Sequence, residues 1–371
     1  MDQKTLVRPF IKFAVDFCNE LESKTSVCSP VSAEITLALV ALGSTNKTHE
    51  ELLEALGFPN DDAIRTTFSY LTSNLKDLKE TLKVATKVCL KKGDYELKDL
   101  IRKDAEAVFE ADLEQLDFGD GEAAANHINN WAAVQTNDKI KHIISANEFS
   151  DAQILLLNAI YFKGAWLKPF KRHLTEDRDF HVNKQTNIKV PMMTVTDKFR
   201  NGRIEDLKVQ ILELQYTKED ASMVIVLPDE VEGLQKVLKQ LTAGHDLMAD
   251  IEGLNAGSKP VQVSMPKFKI ETTVDLKKVL PKLNIKMIFD KNMAEINLMR
   301  TPQRFCVSGA IQKAFIDVNE EGTEAAAVTK MKLSKRKGTY PTFFTADHPF
   351  LFLLICQHIP FFIGIYRGDE A

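Results

Sequence analysis

The sequence changes character near Ile154, and this change constrains the fold more than any other feature. Before it, apolar residues such as Phe10, Phe13 and Phe17 recur at three- and four-residue spacing, which is typical of helices with one buried face. After it, runs bounded by glycine, proline or charged residues predict β-strands; they are ILLLNAIYF, ASMVIVLP, VQVSMPKFKI, FCVSGAIQKAFIDV and PFLFLLIC. Helices followed mainly by strands predict an α+β fold with large sheets.

Composition and charge exclude several classes of protein. Hydrophobic residues make up 44% and charged residues 27% of the 371 residues, which indicates a globular chain with a substantial core. The net charge of -4 argues against a protein that coats nucleic acid. The N-terminal stretch mixes charged and apolar residues, so we expect no signal peptide.

The most apolar segment of the chain lies near its C-terminus. Its sequence, PFLFLLICQHIPFFIGIY, is interrupted by Gln357, His358 and Pro360. Such a segment is too broken to cross a bilayer and instead predicts two buried strands. We therefore expect no interaction with membranes.

The cysteines indicate a reducing compartment. They are scattered, odd in number and without any CxxC pair: Cys18, Cys28, Cys89, Cys306 and Cys356. This usage favours buried reduced thiols over disulfides or a zinc site. We expect a cytoplasmic protein, with release by an unconventional route left open.

No pattern in the chain points to an enzyme. His49 and Glu50 begin like a HExxH zinc motif, but Leu53 occupies the second histidine position. Nucleophile elbows, phosphate-binding loops and a complete GxGxxG are missing. A catalytic triad built from distant residues stays open at this stage, and we expect no metal and no cofactor.

One segment, from Glu320 to Pro341, combines two unlike halves. Its sequence is EEGTEAAAVTKMKLSKRKGTYP. Alanine runs favour helix and basic runs favour a solvated loop, an import signal or a nucleic-acid contact. Read instead as a strand, every second residue forms a small or apolar face, namely Thr323, Ala325, Ala327, Thr329, Met331 and Leu333. Small side chains allow a strand to enter a formed sheet without overpacking it, and Gly322 supplies a pivot.

The wider sequence favours the strand interpretation, because EEGTEAAAVT resembles the hinge of the serpin family. Further segments resemble family motifs in the expected order: SPVSAEITLALVALG with THEELLEALGF, INNWAAVQTNDKI, LLLNAIYFKGAWLKPF, SMVIVLP, MPKFKIE and ADHPFLFLL. The ordered set is specific and extends along nearly the whole chain. It implies a single monomeric serpin domain over residues 1–371, with three β-sheets, about nine helices and an exposed reactive-centre loop at about 320–341.

The resemblance also implies a mechanism. A target protease cleaves the loop and forms an acyl-enzyme, after which the loop inserts as a new strand and carries the tethered protease away. The 12 residues from Thr323 to Ser334 extend roughly 40 Å as a strand. The hinge would comprise Glu320, Glu321, Gly322, Thr323, Glu324, Ala325, Ala326, Ala327, Val328 and Thr329.

The position of the reactive bond follows from the family spacing. The residue before that bond usually lies sixteen positions after the hinge glutamate, which gives Arg336 followed by Lys337. Arginine there implies trypsin-like serine proteases, whose acidic pocket pairs with a guanidinium. Lys335 is an alternative, and papain-like cysteine proteases stay open as targets.

The resemblance assigns a further group to sheet opening. Polar residues that hydrogen-bond beneath the central sheet would be Ser29, Ser32, Asn158 and Gln312, with Trp166 near the point where the loop first enters. The family often has histidine at the position of Gln312. Because glutamine cannot become cationic, we expect no pH-sensitive opening through this residue.

Three alternatives remain at the level of sequence. The chain could be a serpin that no longer inhibits and serves as a carrier, chaperone or storage protein. The basic residues Lys330, Lys332, Lys335, Arg336 and Lys337 could bind a polyanion in addition to their role in inhibition. They could also form an import signal or contact nucleic acid, in which case binding would weaken with salt; we expect no specific nucleic-acid partner.

Overall fold

The computed structural model describes Phe13, Ala14 and Phe17, and then residues 24–78, 81–217, 221–257, 259–300, 304–323 and 340–368. The chain divides into two compact units. The first comprises Met1–Glu20, Cys28–Tyr161 and Thr272–Phe315, and the second comprises Leu21–Val27, Phe162–Glu271 and Ile316–Ala371. The single-domain organisation stays a prediction.

Phe13, Ala14 and Phe17 are helical, and beyond them eight further α-helices lie in the described part of the chain, most of them before Ile154. They are α1 (Pro30–Leu42), α2 (Asn46–Leu56), α3 (Asp61–Leu75), α4 (Asp99–Ala107), α5 (Gly121–Gln135), α6 (Leu234–Thr242), α7 (Leu247–Glu252) and α8 (Leu276–Val279). Local signals fix their ends. Ser29 caps α1 by accepting a hydrogen bond from the Ser32 N–H, and Gly57 ends α2 with a left-handed φ of 73°.

The second unit is rich in strands. A seven-stranded sheet has the order β1-β18-β17-β10-β9-β8-β11. Its strands are β1 (Ser26–Cys28), β8 (Arg200–Ile204), β9 (Val209–Gln215), β10 (Ala221–Pro228), β11 (Asn255–Ala256), β17 (Phe350–Cys356) and β18 (Ile359–Tyr366). The broken apolar segment forms β17 and β18, which are joined by a two-residue turn at Gln357 and His358, both with positive φ. The prediction of two buried strands is thus confirmed.

A four-stranded sheet also belongs to the second unit, with the order β16-β12-β7-β6. Its strands are β6 (Glu176–His181), β7 (Asn187–Asp197), β12 (Val261–Pro266) and β16 (Thr342–Thr345). The edge strand β16 runs parallel to β12, and β12 runs antiparallel to β7.

The five-stranded sheet lies chiefly in the first unit and has the order β13-β14-β4-β2-β3. Its strands are β2 (Leu82–Lys91), β3 (Asp112–Leu116), β4 (Ile154–Phe162), β13 (Phe268–Asp275) and β14 (Val307–Val318). We call it the central sheet. β4 and β14 are parallel and directly paired, from Gly309 opposite Leu155 to Phe315 opposite Tyr161. We call this pairing the seam, and it leaves no room for a strand between β4 and β14.

Different helices cover the two faces of the central sheet around the seam. On one face Leu157, Ala159 and Tyr161 of β4 share a buried apolar cluster with Ile128 and Ala132 of α5. The face in the opposite direction carries Asn158, which contacts α1. Because successive strand residues alternate between faces, both sides of β4 are buried and its sequence is continuously apolar apart from Asn158.

The predicted order of helices and strands is confirmed, together with the α+β class and three large sheets. The five β-rich runs correspond to β4, β10, β12 with β13, β14 and β17. Among the described residues, no helix is both long and apolar enough to cross a membrane.

Candidate functional site: the hinge and the seam of the central sheet

The chain reverses direction directly after β14. Asn319 and Gly322 exchange backbone hydrogen bonds of 2.9 and 3.2 Å, with Glu320 and Glu321 between them. The following residues, Gly322 and Thr323, form the two-residue strand β15. β15 pairs antiparallel with β5 (Gly164–Ala165), which follows β4 after one residue. We call residues 319–323 the hinge turn.

Gly322 is required by the geometry of this turn. Its φ is +134°, a conformation that side-chain-bearing residues rarely adopt. A Cβ atom at this position would lie 2.6 Å from the Cα of Ala165 and 2.8 Å from the backbone nitrogen of Trp166. Only glycine therefore allows β15 to approach β5 this closely.

Glu320 anchors the hinge turn from within the protein. Its side chain is 7% exposed, and its two carboxylate oxygens accept hydrogen bonds from Thr175 Oγ1 at 2.9 Å and Lys267 Nζ at 3.0 Å. Burial alone raises the pKa of Glu320. The bonds from its own backbone N–H, Lys267 and Thr175 outweigh burial, so the pKa lies below the usual carboxyl value.

Trp166 holds the other side of the hinge turn. Its backbone N–H donates to the carbonyl of Glu321, and its indole Nε1–H donates to the carbonyl of Asn319, both at 2.9 Å. The indole stacks on Tyr216 with ring centroids 4.3 Å apart. Arg172 donates to the Glu321 carboxylate at 2.6 Å. The turn is thus fixed by backbone, aromatic and ionic contacts.

A polar cluster lies beneath the seam, at its middle. Gln312 of β14 accepts from the Ser29 N–H at 2.8 Å through Oε1 and donates through Nε2 to the Ser29 carbonyl and to Ser32 Oγ, at 2.6 and 2.9 Å. All three residues have no exposed surface. The amide of Gln312 therefore hydrogen-bonds with the backbone of Ser29 at the start of α1 and connects this helix to β14.

Asn158 of β4 lies directly opposite Gln312 across the seam. Its Nδ2 is 2.9 Å from the carbonyl of Ser32, 2.7 Å from Thr36 Oγ1 and 3.2 Å from Thr86 Oγ1. Its Oδ1 is buried and accepts no hydrogen bond from any described residue. A buried acceptor without a donor destabilises a structure by about 1–3 kcal/mol, so the closed seam carries an unmet acceptor at its centre.

Many of these residues are predictable from the sequence, but several of their partners are not. Ser29, Ser32, Asn158 and Gln312 come together in one cluster. Thr36 was missed, although its spacing of four residues from Ser32 places both on one face of α1. Thr86, Lys267, Thr175 and Arg172 were also missed, because each comes from a distant strand or loop and carries no local pattern.

Part of the predicted site falls outside the described residues. These positions are Glu324, Ala325, Ala326, Ala327, Val328, Thr329, Lys335, Arg336 and Lys337. Within the described residues, no three histidine, cysteine, aspartate or glutamate side chains come together as a metal site requires.

We expect Glu320→Gln to lower the free energy of unfolding at pH 7 by about 1–3 kcal/mol, because a buried charged acceptor is lost. The folded pKa of Glu320 lies below its usual value. The stabilisation is therefore complete above the unfolded pKa of about 4.3 and disappears as the pH falls through the folded value. Urea titrations should give a difference in free energy of unfolding between the variant and the natural protein that is large at pH 7 and smaller in acid.

The matched control is Glu230→Gln, which removes an exposed carboxylate paired with Lys236 at 3.0 Å. Exposed pairs contribute little, so this variant should unfold like the natural protein. Equal losses for the two variants at pH 7 would contradict a special role for Glu320.

Comparisons with known proteins identify the family of this chain. The family model described as serpin (serine protease inhibitor) matches residues 10–367. Antichymotrypsin-2 of Bombyx mori is 39% identical over 348 residues, which are 93% of this chain and 92% of that protein. Antitrypsin of Bombyx mori is 38% identical, over 92% of this chain and 88% of its own length.

A solved structure extends the comparison to the fold. The crystal structure of Serpin48 of the insect Tenebrio molitor superimposes with a TM-score of 0.88 and 30% identity, and the match covers 100% of both chains. Together with the family match over nearly the whole sequence, this establishes that the chain is a member of the serpin family.

Proposed function

We propose that the chain is a suicide-substrate inhibitor of trypsin-like serine proteases. The protease serine attacks the carbonyl carbon of Arg336, and the bond to Lys337 breaks as the new amine takes a proton. The ester that forms tethers the protease to the loop, and insertion of the loop beside β4 then traps the complex. The relatives named antichymotrypsin and antitrypsin support an inhibitory function.

The main support for this proposal is the register in which β15 of the hinge turn pairs with β5. β15 runs antiparallel to β5, with Thr323 opposite Gly164, and β5 follows β4 after a single residue. In a regular antiparallel pair, each step forward on one strand is a step back on the other. Thr329 lies six residues beyond Thr323, and Asn158 lies six residues before Gly164. A loop that extends β15 along β4 would therefore place Thr329 opposite Asn158.

Counting from β14, on the other side of the seam, gives the same position for Thr329. Asn319 follows β14 directly and pairs antiparallel with Gly322. Thr329 lies seven residues beyond Gly322, and Gln312 lies seven residues before Asn319. The inserted Thr329 would thus lie between Gln312 and Asn158, which face each other in the closed seam. Its hydroxyl group could supply the donor that the buried Oδ1 of Asn158 lacks.

The same register assigns the faces of the inserting strand. Residues directly opposite each other in an antiparallel pair point to the same face. Asn158 points toward α1, so Thr329 would do so too, and so would every second residue before it. These residues are small and uncharged, namely Thr323, Ala325 and Ala327. The buried face therefore accepts the strand without overpacking or a stranded charge.

Target choice rests on the basic residues after the hinge. Arg336 fits the acidic specificity pocket of trypsin-like proteases, with Lys335 or Lys337 as neighbouring alternatives. A polyanion is a second partner for the same cations. The described cysteines Cys28, Cys89, Cys306 and Cys356 are buried and far apart in the sequence, which supports action in a reducing, cytoplasmic setting.

The direct test is to mix the protein with trypsin and separate the products on a denaturing gel. We expect a band that resists denaturation and a released fragment whose mass corresponds to Lys337–Ala371. A fragment that begins at another residue would move the reactive bond. Clean cleavage without a stable band would contradict trapping of trypsin and favour a non-inhibitory serpin or a papain-like target.

A second prediction concerns the hinge. Thr323→Arg should convert the protein from an inhibitor into a substrate, because a cation would have to enter the interior beneath the sheet. Thr323→Ser is the matched control and should inhibit like the natural protein, since it keeps a small hydroxyl side chain. The readout is the ratio of trapped to cleaved protein, and unchanged trapping by Thr323→Arg would refute insertion.

A further inference from the structure

Helix α1 carries a carboxyl group, that of Glu34, in the interior of the protein. The residue is 1% exposed. Both carboxyl oxygens, Oε1 and Oε2, are buried, and neither has a hydrogen-bond partner among the described residues. Burying an unpaired charge costs more free energy than the whole stability of a typical domain. The carboxyl group of Glu34 therefore keeps its proton in the folded protein.

The side chain of Glu34 points away from the central sheet. Ser32 Oγ accepts a hydrogen bond from Gln312, and Thr36 Oγ1 accepts one from Asn158, so both hydroxyl groups face the seam. Glu34 lies two residues from each of them, which is a rotation of about 200° around the helix axis. Every residue from Pro30 to Ala41 is buried, so α1 has no exposed face on this side either.

The buried ionisable groups around α1 are paired with other residues or are neutral. Helices α2, α3 and α4 and strand β2 pack against α1. The ionisable side chains that these four elements bury are Asp104, Lys87 and Cys89. Asp104 pairs with Arg65 at 3.0 Å, and Lys87 pairs with Glu114 at 2.6 Å. Burial raises the pKa of the Cys89 thiol to about 12, so this group is uncharged at neutral pH.

Two further groups of contacts reach α1. His49 of α2 lies 2.9 Å from the carbonyl oxygen of Ala41 and 3.2 Å from Asp61, roughly 10 Å along the helix from Glu34. Strands β4 and β14 contact α1 through the uncharged amides of Asn158 and Gln312. Burial therefore acts on Glu34 without a compensating charge from any described residue, and it raises the pKa of this carboxyl well above the usual value.

We propose that Glu34 makes opening of the seam depend on pH. While the carboxyl group keeps its proton, α1 presents the hydroxyl groups of Ser32 and Thr36 to Gln312 and Asn158. Loss of the proton leaves an unpaired charge in the interior, and only a shift of α1 that admits water can hydrate it. The same shift moves both hydroxyl groups away from the seam, so the seam opens more readily as the pH rises. A buried histidine would act in the opposite direction.

The direction of the effect follows from the two states of the chain. The unfolded pKa of a glutamate is about 4.3, and the folded pKa of Glu34 is higher. The contribution of Glu34 to stability is complete below about pH 4.3 and is lost as the pH rises through the folded pKa. Between the two values, each pH unit should favour unfolding by a further factor of ten, or about 1.4 kcal/mol.

The test compares the natural protein with Glu34→Gln and with Glu34→Ala between about pH 5 and about pH 8. Urea titrations give the free energy of unfolding, and hydrogen exchange gives the protection of amides in β4 and β14. Both variants remove the titrating group, so the comparison is between pH slopes and holds even where a variant is less stable. The matched control is Glu54→Gln, which removes an exposed carboxyl group from α2 and should keep the natural slope.

We expect the natural protein to lose a further factor of ten in its folding equilibrium constant per pH unit, relative to both Glu34 variants. Protection of β4 and β14 should fall with it, and by more than the protection of β17 and β18 in the other compact unit. Equal slopes would show that Glu34 is ionised in the folded protein and would overturn the proposal.

A second result would overturn the proposal as well. If the natural protein has the steeper slope but β4 and β14 keep their protection, Glu34 carries a proton that does not act on the seam. These measurements use no protease, so both outcomes are independent of whether the chain traps one.

Discussion

The direct pairing of β4 with β14 is the constraint on which the rest of the structure depends. While the seam is closed, Gln312 and Asn158 face each other above the start of α1. The contacts beneath the seam are hydrogen bonds, which can be remade with a new partner, and Asn158 Oδ1 has no donor among the described residues. Insertion of a strand would replace the hydrogen-bond ladder between β4 and β14 by two ladders, one on each side of the new strand. It would also supply Asn158 Oδ1 with a donor. The closed sheet would therefore have fewer hydrogen bonds than the same sheet with an inserted strand.

If the loop inserts as proposed, the two covered faces of the central sheet account for the run of alanines after Gly322. A strand that enters the seam meets α1 on one side and α5 on the other. Continuing the register of β15, Ala326 would lie opposite Tyr161 and Val328 opposite Ala159, on the face that packs against α5. From Ala325 to Thr329 the residues are small on both faces, which suits entry into a closely packed interior.

The sequence predicts the fold well where local patterns decide the structure. Ser29 with Pro30 marks the start of α1, and the interruption at Gln357 and His358 separates β17 from β18. The hinge glycine is predictable because its conformation excludes other residues. The partners of the hinge are not predictable in this way. Lys267 and Thr175 reach Glu320 from distant strands and loops, and only the folded chain brings these side chains together.

Trapping of a protease requires β4 and β14 to separate in this mechanism, and the most direct test is to lock the seam with a disulfide. Ala159 and Lys313 are register partners on β4 and β14, and neighbouring strands lie about 4.8 Å apart, within the range that a disulfide bridges. The double variant Ala159→Cys with Lys313→Cys should trap trypsin when reduced and be cleaved without trapping when oxidised, with each single variant as a control. An oxidised, crosslinked protein that still forms the covalent complex would contradict the claim that β4 and β14 must separate.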